Sequence, residues 1–302
     1  MTLADVPAAQ RLREQAGWNQ TDQDWQRLLA WEPTGCWVAE LDSRVVASTT
    51  VTTYDTRIAW IGMVLVDEAH RRRGIGTRML AHAQQHLDAE GVRTVALDAT
   101  PAGRSLYETH GYRERYGLER RRGTLNPPSE VTRAATGIRP ADVATATPEA
   151  ASRATPTAGH VRPLLPADLA AVAAYDAQIF GTARDRILGA LAEGHPADCV
   201  VAERADAVTG YALCRPGARA VHLGPLVADD GPTAELLACA ALRDHRGREA
   251  IVDVVTSNQH AVSLAGRLGL TPVRPFIRMT RGAEPPSPDL RRLYTSAGPE
   301  IG

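Results

Sequence analysis

A short segment rich in arginine and glycine is the first candidate for chemistry in this sequence. Residues 71–76 read RRRGIG, an R-x-x-G-x-G pattern. Glycine lets a backbone approach a ligand closely and adopt positive φ angles. The unpaired N–H groups at the start of a helix attract an anion such as pyrophosphate, and adjacent arginines can bind further phosphates. The segment therefore predicts either a phosphate-binding loop or a tight turn with solvated arginines.

The residues on either side predict the elements that position this segment. Residues 59–66 form a near-continuous apolar run, as in a strand that is covered on both faces. Residues 77–90 repeat apolar side chains at helical spacing, and residues 94–98 read as a second strand. Proline at position 101 suits the first turn of a further helix that ends at Gly111. The order strand, loop, helix, strand, helix predicts an α/β layered domain.

Two motifs in this order resemble the GNAT superfamily, the Gcn5-related N-acetyltransferases. In that family the loop after the fourth strand cradles the pyrophosphate of acetyl-CoA, as residues 71–76 would here. Residues 106–112, LYETHGY, match the family's L-Y-x-x-x-G-F/Y helix end, one strand after the loop. Residues 1–123 are therefore identified as a member, with acetyl-CoA as the acyl donor and no metal.

The resemblance implies an acetyl-CoA site formed by one strand and the loop. The strand should splay and expose backbone groups to the pantetheine arm, and one N–H group would polarise the thioester carbonyl. The loop should bind the pyrophosphate largely through its main chain. The implied binding residues are Met63, Val64, Leu65, Val66, Arg71, Arg72, Arg73, Gly74, Ile75, Gly76 and Thr77.

The resemblance also implies a general acid. Tyr107 lies where many family members place the acid that protonates the departing thiolate, a transfer that suits a phenol with a pKa near 10. The alternative is a packed helix tyrosine with a hydrogen-bonded hydroxyl. Thr100 stands where the family often has asparagine, which weakens an expected contact to the pantetheine. No general base is identified, since Asp55, Asp67 and Asp98 all also suit turns or helix caps.

The second half of the chain repeats the landmarks of the first. Gly62 and Gly224 lie 162 residues apart, whereas Gly111 and Gly269 lie 158 apart, so the register drops by four residues between them. An internal duplication with one deletion predicts this pattern. The deletion falls on the loop, which here reads VADDGPT (227–233) and places two carboxylates where they would repel phosphates.

The downstream motif survives only in part. The second half keeps an asparagine, Asn258, but has Ala265 where Tyr107 would be. We therefore expect a degenerate GNAT-like domain that retains the fold and has lost the cofactor. It resembles the C-terminal domain of bacterial tandem GNAT proteins, including a D-x-x-x-F-G-x-x-R segment that spans residues 176–184.

Four residues are candidates for the acceptor site. Trp18 and Asn19 follow the first helix, in the region that covers the acceptor site in this superfamily, but Trp18 equally suits helix packing. Asp176 and Arg184 could belong to an acceptor pocket contributed by the second domain. The alternative is a structural role for both residues, as a capping ion pair at a helix end that has a turn glycine.

Composition predicts where the domains end. Of the 37 residues from 124 to 160, 21 are Ala, Thr or Pro, which predicts a partly disordered linker. The segment 282–302 has a similar composition and predicts a flexible tail. The predicted fold class is α/β: two tandem GNAT-like domains, each a mixed, mostly antiparallel sheet flanked by helices. They are a catalytic domain at 1–123 and a degenerate one at 161–281.

Charge and composition limit the classes of partner that this protein is expected to bind. The chain of 302 residues has 34 basic residues, all arginine, and 35 acidic ones, so no net field recruits nucleic acid or a membrane. Its four cysteines form no C-x-x-C pair, and no apolar stretch approaches 18 residues. We expect a cytoplasmic protein without nucleic-acid or membrane partners, either a monomer with an intramolecular pseudo-dimer or a homodimer.

These features predict an acetyl-CoA-dependent N-acetyltransferase that acts on the amine of a small molecule by direct attack. One alternative is a protein or peptide amine acetyltransferase. Another is a non-catalytic module that senses acyl-CoA. A family resemblance indicates the donor and the reaction type, but the acceptor depends on the site.

Overall fold

The computed structural model describes residues 1–54, 57–126, 160–285 and 287–302. The predicted linker therefore lies almost entirely outside the described residues. Within those ranges, no helix combines the length and the apolar character needed to cross a membrane.

The first half forms an α/β layered unit in the predicted order. Its elements are α1 Val6–Gln15, α2 Asp22–Trp31, β1 Cys36–Leu41, β2 Arg44–Thr53, β3 Ile58–Val66, α3 Ile75–Ala89, β4 Thr94–Ala99, α4 Arg104–Thr109 and β5 Arg113–Thr124. The helix α4 begins three residues after Pro101, because residues 100–103 form a hydrogen-bonded turn in which the Gly103 N–H donates to the Thr100 carbonyl (3.0 Å).

The second half repeats this order. Its elements are β6 His160–Pro163, α5 Leu169–Phe180, α6 Asp185–Gly194, β7 Val200–Arg204, β8 Ala207–Arg215, β9 Val221–Ala228, α7 Gly231–Ala241, β10 Glu249–Val255, α8 Gln259–Arg267, β11 Thr271–Gly282 and β12 Leu293–Thr295. Most strand pairs of the described residues are antiparallel, and two are parallel, β3 with β4 and β9 with β10. The predicted fold class, a mixed and mostly antiparallel sheet flanked by helices, is confirmed.

The two halves exchange strands. In the described part of the chain all twelve strands form one sheet in the order β1-β2-β3-β4-β11-β5-β10-β12-β9-β8-β7-β6. Strand β11 of the second half lies between β4 and β5 of the first, with Ile277 opposite Ala99 and Phe276 opposite Leu118. Strand β5 in turn lies between β11 and β10. Neither half therefore completes its own sheet.

Alternation along the strands gives the first half two distinct faces. Ile61 and Leu97 pack on one face against the apolar side of α3, including Leu80. Trp60 points to the opposite face, where it packs with Phe180 from the second half. Because side chains alternate with a period of two, the helix-covered face and the inter-half face come from successive residues of the same strands.

The flexible tail predicted at 282–302 is wrong for its last residues. Leu293, Tyr294 and Ile301 are at most 2 % exposed, and β12 pairs with both β9 and β10. The Trp60 indole N–H also donates to the carbonyl of Pro299 (3.1 Å). The composition of residues 282–302 resembles that of the linker, but the few apolar side chains near the end pack into the gap between β9 and β10.

Candidate active site

A cleft of about 780 Å³ opens where β3 and β4 diverge. The two strands pair only from Ile58 to Trp60, and β3 then separates from β4. The pairing of β3 with β2 shifts register between Ser48 and Thr50, and Met63 adopts a φ of 51°. A positive φ is uncommon for a residue other than glycine and accompanies bulged or strained backbone. The strand thus has the splay that the resemblance implies.

The splayed strand supplies one wall of the cleft. The predicted residues Met63, Val64, Leu65 and Val66 all line it. The Ser48 hydroxyl donates to the Met63 carbonyl (2.9 Å), which fixes that peptide on the β2 side. On the β4 side, beyond Trp60, β3 pairs with no strand of the described residues. Its backbone groups there remain available to an extended ligand such as a pantetheine arm.

The predicted phosphate loop forms the next wall. Gly74 is the N-cap of α3 with a φ of 76°, and no side chain caps the helix. A Cβ atom at Gly74 would meet nothing within 4 Å, so the space beside this residue is open. Arg71, Arg72, Gly74, Ile75, Gly76 and Thr77 line the cleft, whereas Arg73 is exposed outside it. The uncapped first turn fits a pyrophosphate.

Tyr107 lies in the same cleft. It is half-buried on α4, and its ring packs edge-on against Tyr112 with centroids 5.9 Å apart. A Cβ atom at Gly103 would lie 2.9 Å from the Tyr107 ring, so the ring needs glycine there. No described residue forms a hydrogen bond with the Tyr107 hydroxyl. The alternative interpretation, a packed helix tyrosine, expected such a bond. Burial raises the pKa of Tyr107 to about 12, because it disfavours the phenolate.

Of the carboxylates considered as bases, Asp55 lies outside the described residues. Asp67 is a cap that accepts a hydrogen bond from the Ala69 N–H (3.1 Å), and its hydrogen bond with His70 lowers the pKa of Asp67 to about 2. Asp98 lines the cleft but is buried and held by two hydrogen bonds from Arg278, both 2.8 Å. It is an ion-pair partner from a strand and not a turn or cap residue.

The structure separates the two candidates on the α1–α2 loop. Trp18 lines the cleft. Asn19 does not, and this corrects its assignment to the acceptor site. Its side-chain amide donates to the Ala220 carbonyl (2.9 Å) and accepts from the Arg219 and Ala220 N–H groups (2.9 and 3.0 Å). All of its hydrogen bonds are used to hold the loop against the second half.

Asp176 and Arg184 also lie outside the cleft, which corrects their assignment. Their side chains are 0 % exposed and form two hydrogen bonds of 2.7 and 2.9 Å. Arg184 additionally donates to the Gly302 carbonyl (2.8 Å) and lies 3.9 Å from the Phe180 ring centroid. A buried charge requires such a partner set. The pair therefore anchors the last residues of the segment that follows β11.

Sequence reasoning missed the residues that the second half contributes to the cleft. They are Arg274, Phe276, Pro299 and Glu300. The first two reach the cleft because β11 extends beyond the end of β4. The other two arrive on the segment that was expected to be flexible. No motif marks these residues, since their position depends on the strand exchange.

The corresponding gap in the second half is filled by the chain itself. Strands β9 and β10 pair in parallel only briefly, at Val221–His222, as β3 and β4 do. Here β12 occupies the gap, and the Asn258 amide donates to the carbonyls of Leu290, Arg291 and Leu293 (3.2, 3.0 and 3.2 Å). Asp230 caps α7 by accepting from the Thr233 N–H (2.8 Å). Both features that would receive a cofactor are occupied.

Two family models match the chain. A model described as acetyltransferase (GNAT) family matches residues 7–112, and one described as acetyltransferase (GNAT) domain matches residues 172–295. Each model coincides with one of the structural repeats.

Known proteins match this chain over most of its length and of their own. Holothin acyltransferase from Pseudoalteromonas sp. (strain SANK 73390) is 23 % identical over 92 % of this chain and 85 % of its own. A putative acetyltransferase from Pyrococcus horikoshii superposes with a TM-score of 0.74 at 22 % identity, covering 100 % of this chain and 94 % of that one. A tandem GNAT protein from the clavulanic acid biosynthesis pathway gives 0.61 at 16 % identity, covering 94 % and 96 %. Together with the two family models, these matches identify the chain as a tandem protein of the GNAT acetyltransferase superfamily and an acyltransferase.

Proposed function

We propose that this chain is an acetyl-CoA-dependent N-acetyltransferase that acetylates the amine of a small molecule by direct attack. One observation carries the proposal: a single cleft joins the uncapped start of α3, the splayed strand β3 and the unbonded hydroxyl of Tyr107. These are a site for pyrophosphate, a run of free backbone groups and a proton donor. A non-catalytic acyl-CoA sensor would need no such donor.

Each part has a defined task in acyl transfer. The first turn of α3 and the adjacent Arg71 and Arg72 would bind the pyrophosphate. A backbone N–H group of residues 63–66 would polarise the thioester carbonyl and stabilise the developing oxyanion. Tyr107 would give its proton to the sulfur as the carbon–sulfur bond breaks. The attacking nitrogen would release a proton to solvent as the new amide bond forms, and Tyr107 would be reprotonated from solvent. Acetyl-CoA supplies the acyl group.

The acceptor end of the cleft favours a small molecule over a protein. Trp18 and Phe276 wall this end, together with Pro299 and Glu300 of the last segment. We expect these four residues to surround a small amine, whereas a protein substrate would need an open groove at this end.

Glutamate in place of Gly74 is expected to lower acetyl-CoA affinity by at least about 100-fold, since a like charge a few ångströms from a phosphate costs on the order of 3–4 kcal/mol. Isothermal calorimetry of the Gly74→Glu variant measures this effect. Gly91→Glu is the matched control: Gly91 also has a positive φ, of 72°, and open surroundings, but lies at the other end of α3. Unchanged acetyl-CoA binding by Gly74→Glu would refute the loop assignment.

The same titrations should give one acetyl-CoA per chain. The gap between β9 and β10 already holds β12, and Asp230 caps the helix that would otherwise receive phosphate. Gly74→Glu should therefore weaken this single class of site and reveal no second class that keeps the affinity of the parent. A stoichiometry of two equivalent sites would contradict this expectation.

A further inference from the structure

Arg274, an arginine at the acceptor end of the cleft, has no hydrogen bond or ion pair with any residue that the structure describes. It is half-buried on the part of β11 that extends beyond β4, and it lines the cleft. Its Nε atom is buried without an acceptor, and no ion pair joins it to a described residue. Burial, reinforced by the nearby charge of Arg120, lowers the pKa of Arg274. The terminal nitrogens of the guanidinium also have no acceptor among the described residues, but they are not buried, so a ligand in the cleft can accept from them.

Neighbouring acids do not neutralise this charge, because they already have partners. Asp98 is held by Arg278, as described above. Glu300 accepts from Gln20 (2.7 Å) and Arg215 (3.2 Å). Asp253 accepts two hydrogen bonds from Arg120, at 2.8 and 2.7 Å. The acceptor end therefore keeps a surplus of one positive charge, at Arg274.

Aromatic rings define how a ligand can reach the guanidinium. Its central carbon lies 5.0 Å from the Phe276 ring centroid and 6.0 Å from that of Trp18. Rings over a guanidinium leave its edge for hydrogen bonding, and that edge matches a planar carboxylate with two parallel N–H···O bonds. A single unpaired cation also balances one negative charge better than the two of a phosphate monoester.

We infer that the acceptor is an amine that also bears a carboxylate, and that Arg274 binds this carboxylate through the edge of its guanidinium. The inference rests on the proposed function and specifies its substrate class as amino-acid-like compounds. It makes the second half a direct contributor to substrate recognition, since β11 belongs to that half.

The test compares matched pairs of amines that differ only in charge. Free amino acids and their amides, beginning with phenylalanine and phenylalaninamide, are assayed by thiol release with the full-length protein and with Arg274→Gln. With the parent protein, at least one of the free amino acids should have a higher kcat/KM than the amide of the same amino acid. Arg274→Gln should lower kcat/KM for that acid by roughly 10- to 100-fold and leave its amide within about twofold, because only the acid loses a charged hydrogen-bond pair. Comparing the two changes cancels the intrinsic reactivity of each amine.

Three controls make the result specific. Arg281→Gln changes a half-buried arginine of the same strand that pairs with Asp88 outside the cleft, and it should change kcat/KM for neither the acid nor the amide. Acetyl-CoA affinity of Arg274→Gln should equal that of the parent. Arg274→Lys keeps the charge without the planar edge, so it should restore only part of the preference and serves as the test if Arg274→Gln does not fold.

The outcomes separate this inference from the proposed function. Absence of both acetyl-CoA binding and acetyl transfer would reject both. Transfer that favours the amides, or an equal effect of Arg274→Gln on acid and amide, would reject the inference alone. So would retained acetyl-CoA binding with transfer confined to amines that lack a carboxylate. A fall in acetyl-CoA affinity in Arg274→Gln would show that Arg274 contacts the donor instead.

Discussion

Phenylalanine in place of Tyr107 is expected to lower kcat by about 100-fold or more, the usual contribution of a general acid. Acetyl-CoA affinity should stay nearly unchanged, because the substitution keeps the ring that packs against Tyr112 and removes only a hydroxyl with no described hydrogen-bond partner. The departing thiolate then has no protein group to protonate it. Steady-state kinetics and calorimetry on Tyr107→Phe measure the two quantities separately.

Tyr112→Phe provides the matched control. Tyr112 is a buried tyrosine in the same layer that does not line the cleft, so losing its hydroxyl should leave kcat within about twofold. A similar kcat for Tyr107→Phe and the parent would return Tyr107 to a packing role.

The pH profile gives a second check on the same residue. The pKa of Tyr107 is raised to about 12, and the acid form of a group persists below its pKa. The phenol therefore stays protonated at pH 8–10, and kcat of the parent should show no alkaline fall over that range on account of this group. A loss of activity over that range that Tyr107→Phe abolishes would contradict the raised pKa.

The isolated first half, residues 1–126, is expected to be inactive and unfolded. Without β11, strands β4 and β5 have no common neighbour, and buried Asp98 loses Arg278. Breaking a buried ion pair by removing one partner costs about 3–5 kcal/mol, a large part of the roughly 5–15 kcal/mol that stabilises a typical domain. Circular dichroism and the thiol-release assay measure both losses.

Combining the two halves as separate fragments tests whether the missing strand exchange causes the loss of folding and activity. Co-expressed fragments 1–126 and 160–302 should associate through the exchanged strands and recover acetyl transfer, because β5 and β11 regain their neighbours. Full activity from 1–126 alone would show that the exchange is dispensable. A failure of the two fragments to associate would contradict the role assigned to the shared sheet.

The sequence by itself determined the local parts of the site. The RRRGIG segment predicted a glycine with positive φ at a strand-to-helix junction, and Gly74 has it. The LYETHGY motif predicted the helix that carries Tyr107, and the helix forms. These features depend on hydrogen bonds and backbone conformations within a few residues, so the local sequence is sufficient to specify them.

Polar residues were the least predictable group. Asn19, Asp176 and Arg184 have the chemistry of a binding site, but each is buried and satisfied by partners that lie elsewhere in the fold. Arg184, for example, donates to Gly302, 118 residues away. A sequence shows which groups can form hydrogen bonds, but the fold decides whether protein or ligand receives them.

Only the tertiary structure decided how the halves combine. An extended apolar strand can pair with any edge of matching length and pattern, so nothing local to β11 specifies that it lies between β4 and β5. The same holds for residues 293–302, whose few apolar side chains became decisive once a gap existed between β9 and β10. The acetyl-CoA side of the cleft could therefore be predicted from the sequence, because residues close together in the chain form it. The acceptor side of the cleft could not be predicted, because the residues that line it come together only through long-range strand pairing.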